Sequence, residues 1–584
     1  MSTGTVPGAP RTSEGGTPAG EAYGAPGTAR TGTTRPGAPA TARRARRRGA
    51  VAATAFVAGL GLAASIPPAG IWPLAFPAAA LLVWRLGGLR TRARALAGFL
   101  AGLGLFIPGL FWATSFNVAG GVVLIVAESC FFAVAAMVVA PGPGRAVSFP
   151  AAFTLVTAAR GSWPFGGLPL GGVALGQAAG PLAFSARLGG PLVVAAIVWT
   201  GGVALAWAWE AGGGSRRLQL LVRRGPGGAP APQRKLRVPP ARGAGRAITA
   251  MVAGALVAAA AAAGALAPAG GPAVHRLRVA AVQGGGPRGL RAVNVDPSVA
   301  FDAQLAATQP LLALPARRRP ALVVWPEDVI ALGGPLAGST EELQMAQLAR
   351  SLHATVVAGV TEPVGITRFR NEVVAWAPNG RITSTYEKVH RVPFGEYVPF
   401  RSFFAHFANL SDVPRDAIPG KGPGLMRTPA GPLGAMVSYE VFFADRGRSA
   451  TRAGATLLIV PTNTSSYTTA QVPTQEIAAA RLQAISEGRD LVQASPTGLS
   501  ALVDHNGRVI ARSGLGNRQL VIGSVAERRG ATPYERWGET PIELLAAAAL
   551  VAGWLAAAYR RRAGSGKDLP AGDRWLGESH VPGS

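Results

Sequence analysis

Hydrophobic and polar positions fall into two textures along this chain. Up to about residue 269, and again near the end, long apolar runs are separated by short basic blocks. Runs near Ala50–Ile66, Ile71–Trp84, Leu96–Trp112, Val118–Ala140, Val147–Ala159, Pro191–Trp209, Ile248–Leu266 and Ile542–Tyr559 predict about eight membrane helices. Each is close to the ~20 residues that cross a bilayer or somewhat shorter, Ile71–Trp84 and Val147–Ala159 being the shortest. From about Gly270 to Glu539 the runs become short and β-like: Leu277–Val282, Leu322–Trp325, Thr355–Val360, Val373–Trp376, Ile382–Tyr386, Leu433–Val437, Thr456–Val460, Leu491–Ala494, Ala501–Val503 and Val509–Ala511. Helical patterns lie between some of them: Asp296–Thr308, with Asp296 as N-cap and Pro297 at the first helical position, then Glu341–Leu352 and Gln475–Glu487. Strands alternating with helices over this length predict one α/β domain.

Composition sharpens the first texture. The chain has 584 residues, 49% of them hydrophobic and only 15% charged, which favours membrane spans over an ordinary soluble protein. A net charge of +28 raises the possibility of nucleic acid. The basic residues, however, sit in blocks beside apolar runs: Arg43–Arg48, Arg85–Arg94, Arg145, the segment from Arg216 to Arg246, and Arg560–Arg562. With eight spans all these blocks fall on one side, and only Arg160 and Arg187 fall opposite among the loops between helices. The positive-inside rule makes the basic side cytoplasmic, with both termini inside and the α/β domain outside. The predicted organisation is a disordered tail over 1–42, a membrane part over 43–269, the α/β domain over 270–539, a last span over 540–562 and a cytoplasmic tail over 563–584. The stretch Met1–Ala40, rich in Gly, Thr and Pro, has too few large apolar residues for a core. No zinc-type Cys/His spacing, Walker loop or dinucleotide fingerprint is present, so neither metal nor cofactor is expected. The lone cysteine, Cys130, lies inside an apolar run and reads as a small packing residue.

Three polar positions each follow a strand-like run. Glu327 follows Val323-Val324-Trp325-Pro326, Lys388 lies in Tyr386-Glu387-Lys388-Val389-His390, and Ser438 ends Gly434-Ala435-Met436-Val437. A carboxylate can take a nucleophile's proton, and an ammonium can hold that carboxylate charged and stabilise an oxyanion. Many α/β domains offer such trios, and strand ends also carry ordinary caps and surface charges.

The motifs around these positions narrow the choice. Val324-Trp325-Pro326-Glu327, Tyr386 to Pro399 (Tyr-Glu-Lys-Val-His-Arg-Val-Pro-Phe-Gly-Glu-Tyr-Val-Pro) and Ser438-Tyr439-Glu440 resemble the apolipoprotein N-acyltransferases. So do Asn506-Gly507-Arg508, Thr532 to Gly538, Trp163-Pro164-Phe165-Gly166 and Ala186 to Gly190. The resemblance implies a multi-pass α-helical membrane protein carrying an extracytoplasmic, nitrilase-like αββα sandwich. It also implies a reaction without metal or soluble cofactor. An acyl chain would pass from a membrane phospholipid to an enzyme nucleophile, and then to the α-amine of a diacylated apolipoprotein. By position Glu327 would be the general base, Lys388 the oxyanion stabiliser and Ser438 the nucleophile. Glu396, a second essential carboxylate, would join Tyr439 and Glu440 as substrate-site residues that shape the pocket. On this reading loss of the Lys388 side chain abolishes transfer with little loss of fold.

The chain departs from the family in places. The family nucleophile is Cys, whereas Ser438 stands here, and Cys130 lies in a predicted span. An alcohol is far less acidic than a thiol and usually needs a strong base. His390 is the nearest imidazole in sequence and would share a face with Lys388 on a strand; the plainer reading makes it a solvated loop residue. Thr462-Asn463-Thr464-Ser465-Ser466-Tyr467 keeps only the Asn of the family's Asn-Asp-Gly-Trp-Phe-Gly, and Gly284-Gly285-Gly286-Pro287 replaces an Asn and a later Trp. Three readings therefore stand: a membrane acyltransferase with a serine nucleophile, a non-catalytic relative with a binding role, and a nitrilase-type amidase.

Overall fold

The computed structural model describes residues 40–213, 240–289, 295–406, 410 and 413–565. The expectations for residues 1–39, for the basic stretch from Arg216 to Arg237 and for residues 566–584 lie outside them.

All eight predicted apolar runs are helical. They are α1 (Ala40–Ser65), α2 (Ala75–Leu86), α3 (Thr91–Leu110), α4 (Val118–Val138), α5 (Arg145–Arg160), α6 (Ala186–Ala211), α7 (Pro240–Leu266) and a last helix, Thr540–Ser565. Among the described residues six are long and apolar enough to cross a membrane. The two that fall short, α2 with 12 residues and α5 with 16, coincide with the shortest predicted runs. Small residues let these helices approach closely. A Cβ on Gly98 of α3 would lie 2.3 Å from the Phe132 carbonyl of α4, and one on Gly102 would lie 2.7 Å from the Ser129 Cα. That is glycine spaced by four on one helix face, where backbone-to-backbone contact replaces side-chain packing. Helix α6 breaks at Gly189 and Gly190, the latter at φ 68°. At one end of the helical part Arg145 and Arg246 both reach Glu210, at 3.6 and 3.2 Å. Cys130 is exposed on α4, not packed. Facing outward on a helix that must bury its small residues against α3, it has no packing role to play.

Among the described residues the α/β part has fourteen strands: β1 (Ala273–Gln283), β2 (Leu322–Val324), β3 (Ile330–Ala331), β4 (Thr355–Val364), β5 (Arg368–Trp376), β6 (Ile382–Glu387), β7 (Asp416–Ala417), β8 (Leu425–Thr428), β9 (Gly431–Ala435), β10 (Leu457–Pro461), β11 (Leu491–Ala494), β12 (Ala501–Val503), β13 (Val509–Arg512) and β14 (Gln519–Arg528). They form two sheets. The first runs β14-β1-β2-β4-β5-β6 with β3 and β7 attached, and the second runs β13-β12-β11-β10-β9-β8. Side-chain alternation stacks them. Val279 and Ala281 of β1 join Val324, Val357 and Ala375 in one buried cluster with Leu433, Ala435, Ile459 and Val492 of the second sheet. The intervening Ala280 and Val282 face the other way, onto α8 (Pro297–Thr308) and α9 (Thr340–Leu352). Asp296 caps α8 as expected, accepting from the Ser298 N–H.

The outer face of the second sheet is covered by α10 (Ala444–Arg452) and α11 (Gln471–Glu487). Leu458, Val460, Ala501 and Val503 cluster with Ile477, Ala480, Leu482 and Ile485, and the same cluster continues into α2, α3 and α6. Helix α11 is therefore wedged between a sheet and the apolar helices, and is buried on nearly every side. The last helix is α12 (Thr540–Ser565).

Candidate active site

The chemistry-bearing side chains arrive from the ends of strands in both sheets. Glu327 follows β2, and its backbone lies hard against Gly359 of β4, where a Cβ would sit 2.4 Å from the Glu327 Cα. Lys388 follows β6 directly, its N–H bonded to the Asn371 carbonyl of β5. Ser438 follows β9 and opens a short 3₁₀ turn, Ser438–Phe442.

Glu327, Lys388 and Glu396 meet in one buried cluster. The Lys388 ammonium lies 2.8 Å from Glu327 Oε1 and 2.5 Å from Glu396 Oε1. Asn371 Nδ2 donates to the same two oxygens at 2.9 and 3.3 Å. The second oxygens are held too: Glu327 Oε2 accepts the Asn463 N–H, and Glu396 Oε2 the Val392 N–H. Burial works against the Lys388 charge, but the two carboxylates outweigh it and hold its pKa above the ordinary lysine value. Burial raises the Glu396 pKa, with Lys388 opposing. Lys388 is thus a buried cation fixed between two carboxylates. It also pairs one buried and one largely buried carboxylate, so its side chain supports the fold as well as the chemistry. That corrects the expectation that its loss spares stability.

Ser438 sits at φ 50°, a left-handed conformation that a residue with a Cβ adopts at a cost of about 1–3 kcal/mol. Sharp turns of this kind lift a nucleophile off the end of a strand. Ser438 is partly exposed, whereas Tyr439 and Glu440, the next two residues of the turn, are buried. The hydrogen bond the structure gives Ser438 Oγ is with Thr462 Oγ1, at 3.2 Å. Thr462 and Asn463 follow β10, the parallel neighbour of β9. These two consecutive residues link the serine to the Glu327 carboxylate. The Thr462 hydroxyl also bonds Glu476 Oε1 of α11 at 2.7 Å, while Glu476 Oε2 is buried without a partner. Burial drives the Glu476 pKa up to about 8.

Glu440, expected in the pocket wall, acts from behind it. Fully buried, it accepts from the Val389 and His390 N–H groups, from the Val437 N–H at 2.8 Å and from Tyr386 Oη at 3.0 Å. One carboxylate thereby fastens the Lys388 loop to the Ser438 turn. Tyr439 does line the cavity beside the site, a space of ≈ 260 Å³ bounded by Phe165, His390, Arg391, Tyr397, Tyr439 and Phe443 among others. Its hydroxyl donates to the Gly167 carbonyl at 2.7 Å and Tyr397 donates to the Phe165 carbonyl, so the loop after α5 forms one wall. His390 stacks on Phe443 with ring centroids 4.0 Å apart and faces Asp445 at 3.6 Å. Among the described residues it makes no hydrogen bond to Ser438. No group of His, Cys, Asp and Glu fit to hold a metal occurs among them either.

Sequence reasoning missed Asn371, Thr462 and Glu476. Asn371 had a signal: it continues the inward-facing row of Val373 and Ala375, where a polar residue needs a reason.

Known proteins resemble this chain over most of its length. Residues 58–204 match the model of the apolipoprotein N-acyltransferase N-terminal domain, and residues 278–534 match that of the carbon-nitrogen hydrolases. The apolipoprotein N-acyltransferase of Mycolicibacterium smegmatis is 30% identical over 515 residues, covering 82% of this chain and 80% of its own length. That of Azotobacter vinelandii is 30% identical over 536 residues, covering 86% and 94%. Among solved structures, a carbon-nitrogen hydrolase from Helicobacter pylori aligns at 16% identity and a TM-score of 0.35, over 46% of this chain and 95% of that one. The chain belongs to the apolipoprotein N-acyltransferase family, transferases built on the carbon-nitrogen hydrolase fold.

Proposed function

We propose that this chain moves an acyl group from a membrane phospholipid to the N-terminal amine of a diacylated apolipoprotein, through an acyl intermediate on Ser438. The observation that carries the reading is the bridge at Thr462 and Asn463, which joins a serine on a left-handed turn to a buried glutamate–lysine pair. Ser438 attacks the ester carbonyl, the Lys388 ammonium stabilises the oxyanion, and lysophospholipid leaves. The amine of the acceptor then attacks the acyl-serine, with Glu327 as the site's general base. Glu396 keeps Lys388 in place, Tyr439 shapes the cavity, and Glu440 fixes the two loops that carry Lys388 and Ser438. No step needs a metal or soluble cofactor.

The membrane supports this chemistry by presenting both lipid substrates to one cavity wall, the loop after α5. The proposed topology has eight spans, both termini cytoplasmic and residues 270–539 outside, in the cell membrane. The Arg145–Glu210–Arg246 cluster supports it, since it gathers basic residues from near the starts of two separate helices at one end. Ile366, 89% exposed in the β4–β5 turn, offers the test. In a Cys130→Ser background, Ile366→Cys should react with a membrane-impermeant maleimide from outside; protection in intact cells would overturn the orientation.

Reconstitution with phospholipid and a diacylated lipoprotein tests the activity, with N-acylation read by mass spectrometry. The serine itself favours a second reading, a relative that binds the same lipids without turning them over. An inactive wild type that gains activity as Ser438→Cys would establish that reading instead.

A further inference from the structure

A serine nucleophile poses a question that a thiol does not: where its proton goes. The hydrogen bond the structure gives Ser438 Oγ is with Thr462, whereas the Glu327 oxygens accept from Lys388, Asn371 and the Asn463 N–H; Glu327 keeps its role as base toward the amine of the acceptor. The hydroxyl of Thr462 carries one proton. In the structure it donates toward Glu476 Oε1 at 2.7 Å and toward Ser438 Oγ at 3.2 Å; its single hydrogen goes to the nearer carboxylate when that is ionised, and rotation of the Ser438 hydroxyl then reverses the longer contact. Glu476 is 2% exposed and one of its oxygens has no partner. A buried carboxyl oxygen left without a partner is costly, and such a group calls for a functional explanation.

We propose that Ser438 gives up its proton through Thr462 to the carboxylate of Glu476, a relay that equips a serine to do the work of a thiol at this site. The inference deepens the acyl-transfer reading and rests on it. As the Oγ–C bond to the donor ester forms, the Ser438 proton moves to Thr462 Oγ1 and the Thr462 proton to Glu476 Oε1. The carbonyl electrons become an oxyanion facing Lys388. When the ester C–O bond breaks, the departing lysophospholipid oxygen takes the proton back along the same path. In the second half the attacking amine loses one proton, and the released Ser438 oxygen gains one. Thr462 is the catalytic contact, and Glu476 is the positioning residue that holds the proton behind it.

The surroundings of Glu476 suit this work. The titratable groups that act on it are Glu327 and Lys388 across the site, and Tyr467 senses its charge in turn. Burial and Glu327 disfavour its charge while Lys388 supports it, so it ionises near about 8 and is a stronger base than an exposed carboxylate. Helix α11 is buried on nearly every side and Glu476 faces inward, so the carboxylate is kept from water.

The test uses the full chain in phosphatidylethanolamine vesicles and follows the rate of acyl-enzyme formation by mass spectrometry from pH 6 to pH 9. Glu476→Gln and Thr462→Val should each slow acylation of Ser438 by about 100-fold, and Glu476→Gln should remove the rise in rate around pH 8. Thr462→Ser should restore most of the rate. In a Ser438→Cys background the loss from Glu476→Gln should shrink at least about tenfold, because a thiol ionises without the relay. Equal losses in the two backgrounds, or an unchanged pH profile in Glu476→Gln, overturn the relay and leave acyl transfer standing. A wild type that is never acylated while Ser438→Cys is acylated also overturns the relay. Acylation of neither form overturns the relay and the acyl-transfer reading together.

Discussion

The Tyr439 hydroxyl donates to the Gly167 carbonyl at 2.7 Å, tying the residue after Ser438 to the loop that follows α5. Gly167 is buried, so its carbonyl has no ready substitute in water. Tyr439→Phe should therefore cost about 1–3 kcal/mol, the penalty of an unpaired buried acceptor. A lower midpoint in a thermal scan of detergent-solubilised protein checks this. An unchanged midpoint would show that the loop is held by its other contacts alone.

Lys388 separates two carboxylates that would otherwise face each other out of water. Lys388→Ala should abolish acyl transfer and also destabilise the chain by about 3–5 kcal/mol, as breaking a buried pair does. Adding Glu396→Gln should recover part of the stability and none of the activity. Thermal scans and turnover of the two variants separate these effects.

Glu440 receives four donors from three segments. Glu440→Gln keeps the shape but turns an amide NH₂ toward N–H groups. A loss of about 1.5–3 kcal/mol is expected for the charged hydrogen bonds. Activity should fall with it, since the Lys388 and Ser438 loops are both released. A variant that unfolds earlier yet keeps full turnover would separate the clamp from the chemistry.

Glu487 gives a pH dependence with a definite sign. Fully buried on α11, it accepts from Thr451 at 2.8 Å, and burial raises its pKa from 4.5 to about 8. The folded state therefore holds a proton that the unfolded chain has released. Stability is complete below about 4.5, declines as pH rises and reaches its floor near about 8. The melting midpoint should drop further between pH 6 and pH 9 in wild type than in Glu487→Gln. Equal drops would remove Glu487 as the cause.

Much of the fold is legible in the sequence because burial writes period-two and continuous apolar runs. Leu491–Ala494 and Ala501–Val503 match their strands to the residue. The strand Gln519–Arg528 escapes because Gly523 and Ser524 interrupt its apolar run, and only pairing with β1 makes it a strand. The Glu327–Lys388–Glu396 cluster is legible from motifs: Glu327 and Lys388 follow strands, and Glu396 belongs to the same motif as Lys388. What cannot be read is what distant packing decides. Glu440 looks like a pocket residue until its carboxylate is found turned inward. Glu476 looks like one polar position on an ordinary helix until α11 is found wedged between the second sheet and the apolar helices. The left-handed turn at Ser438 is likewise invisible in a chain where most such positions are glycine.

The central claim is that Ser438 carries the acyl group. The direct measurement is peptide mass spectrometry of the full chain after incubation with phospholipid vesicles and no acceptor. An acyl adduct should map to the peptide containing Ser438, vanish in Ser438→Ala and discharge when a diacylated apolipoprotein is added. An adduct that persists in Ser438→Ala, or one that maps to another residue, would contradict the account.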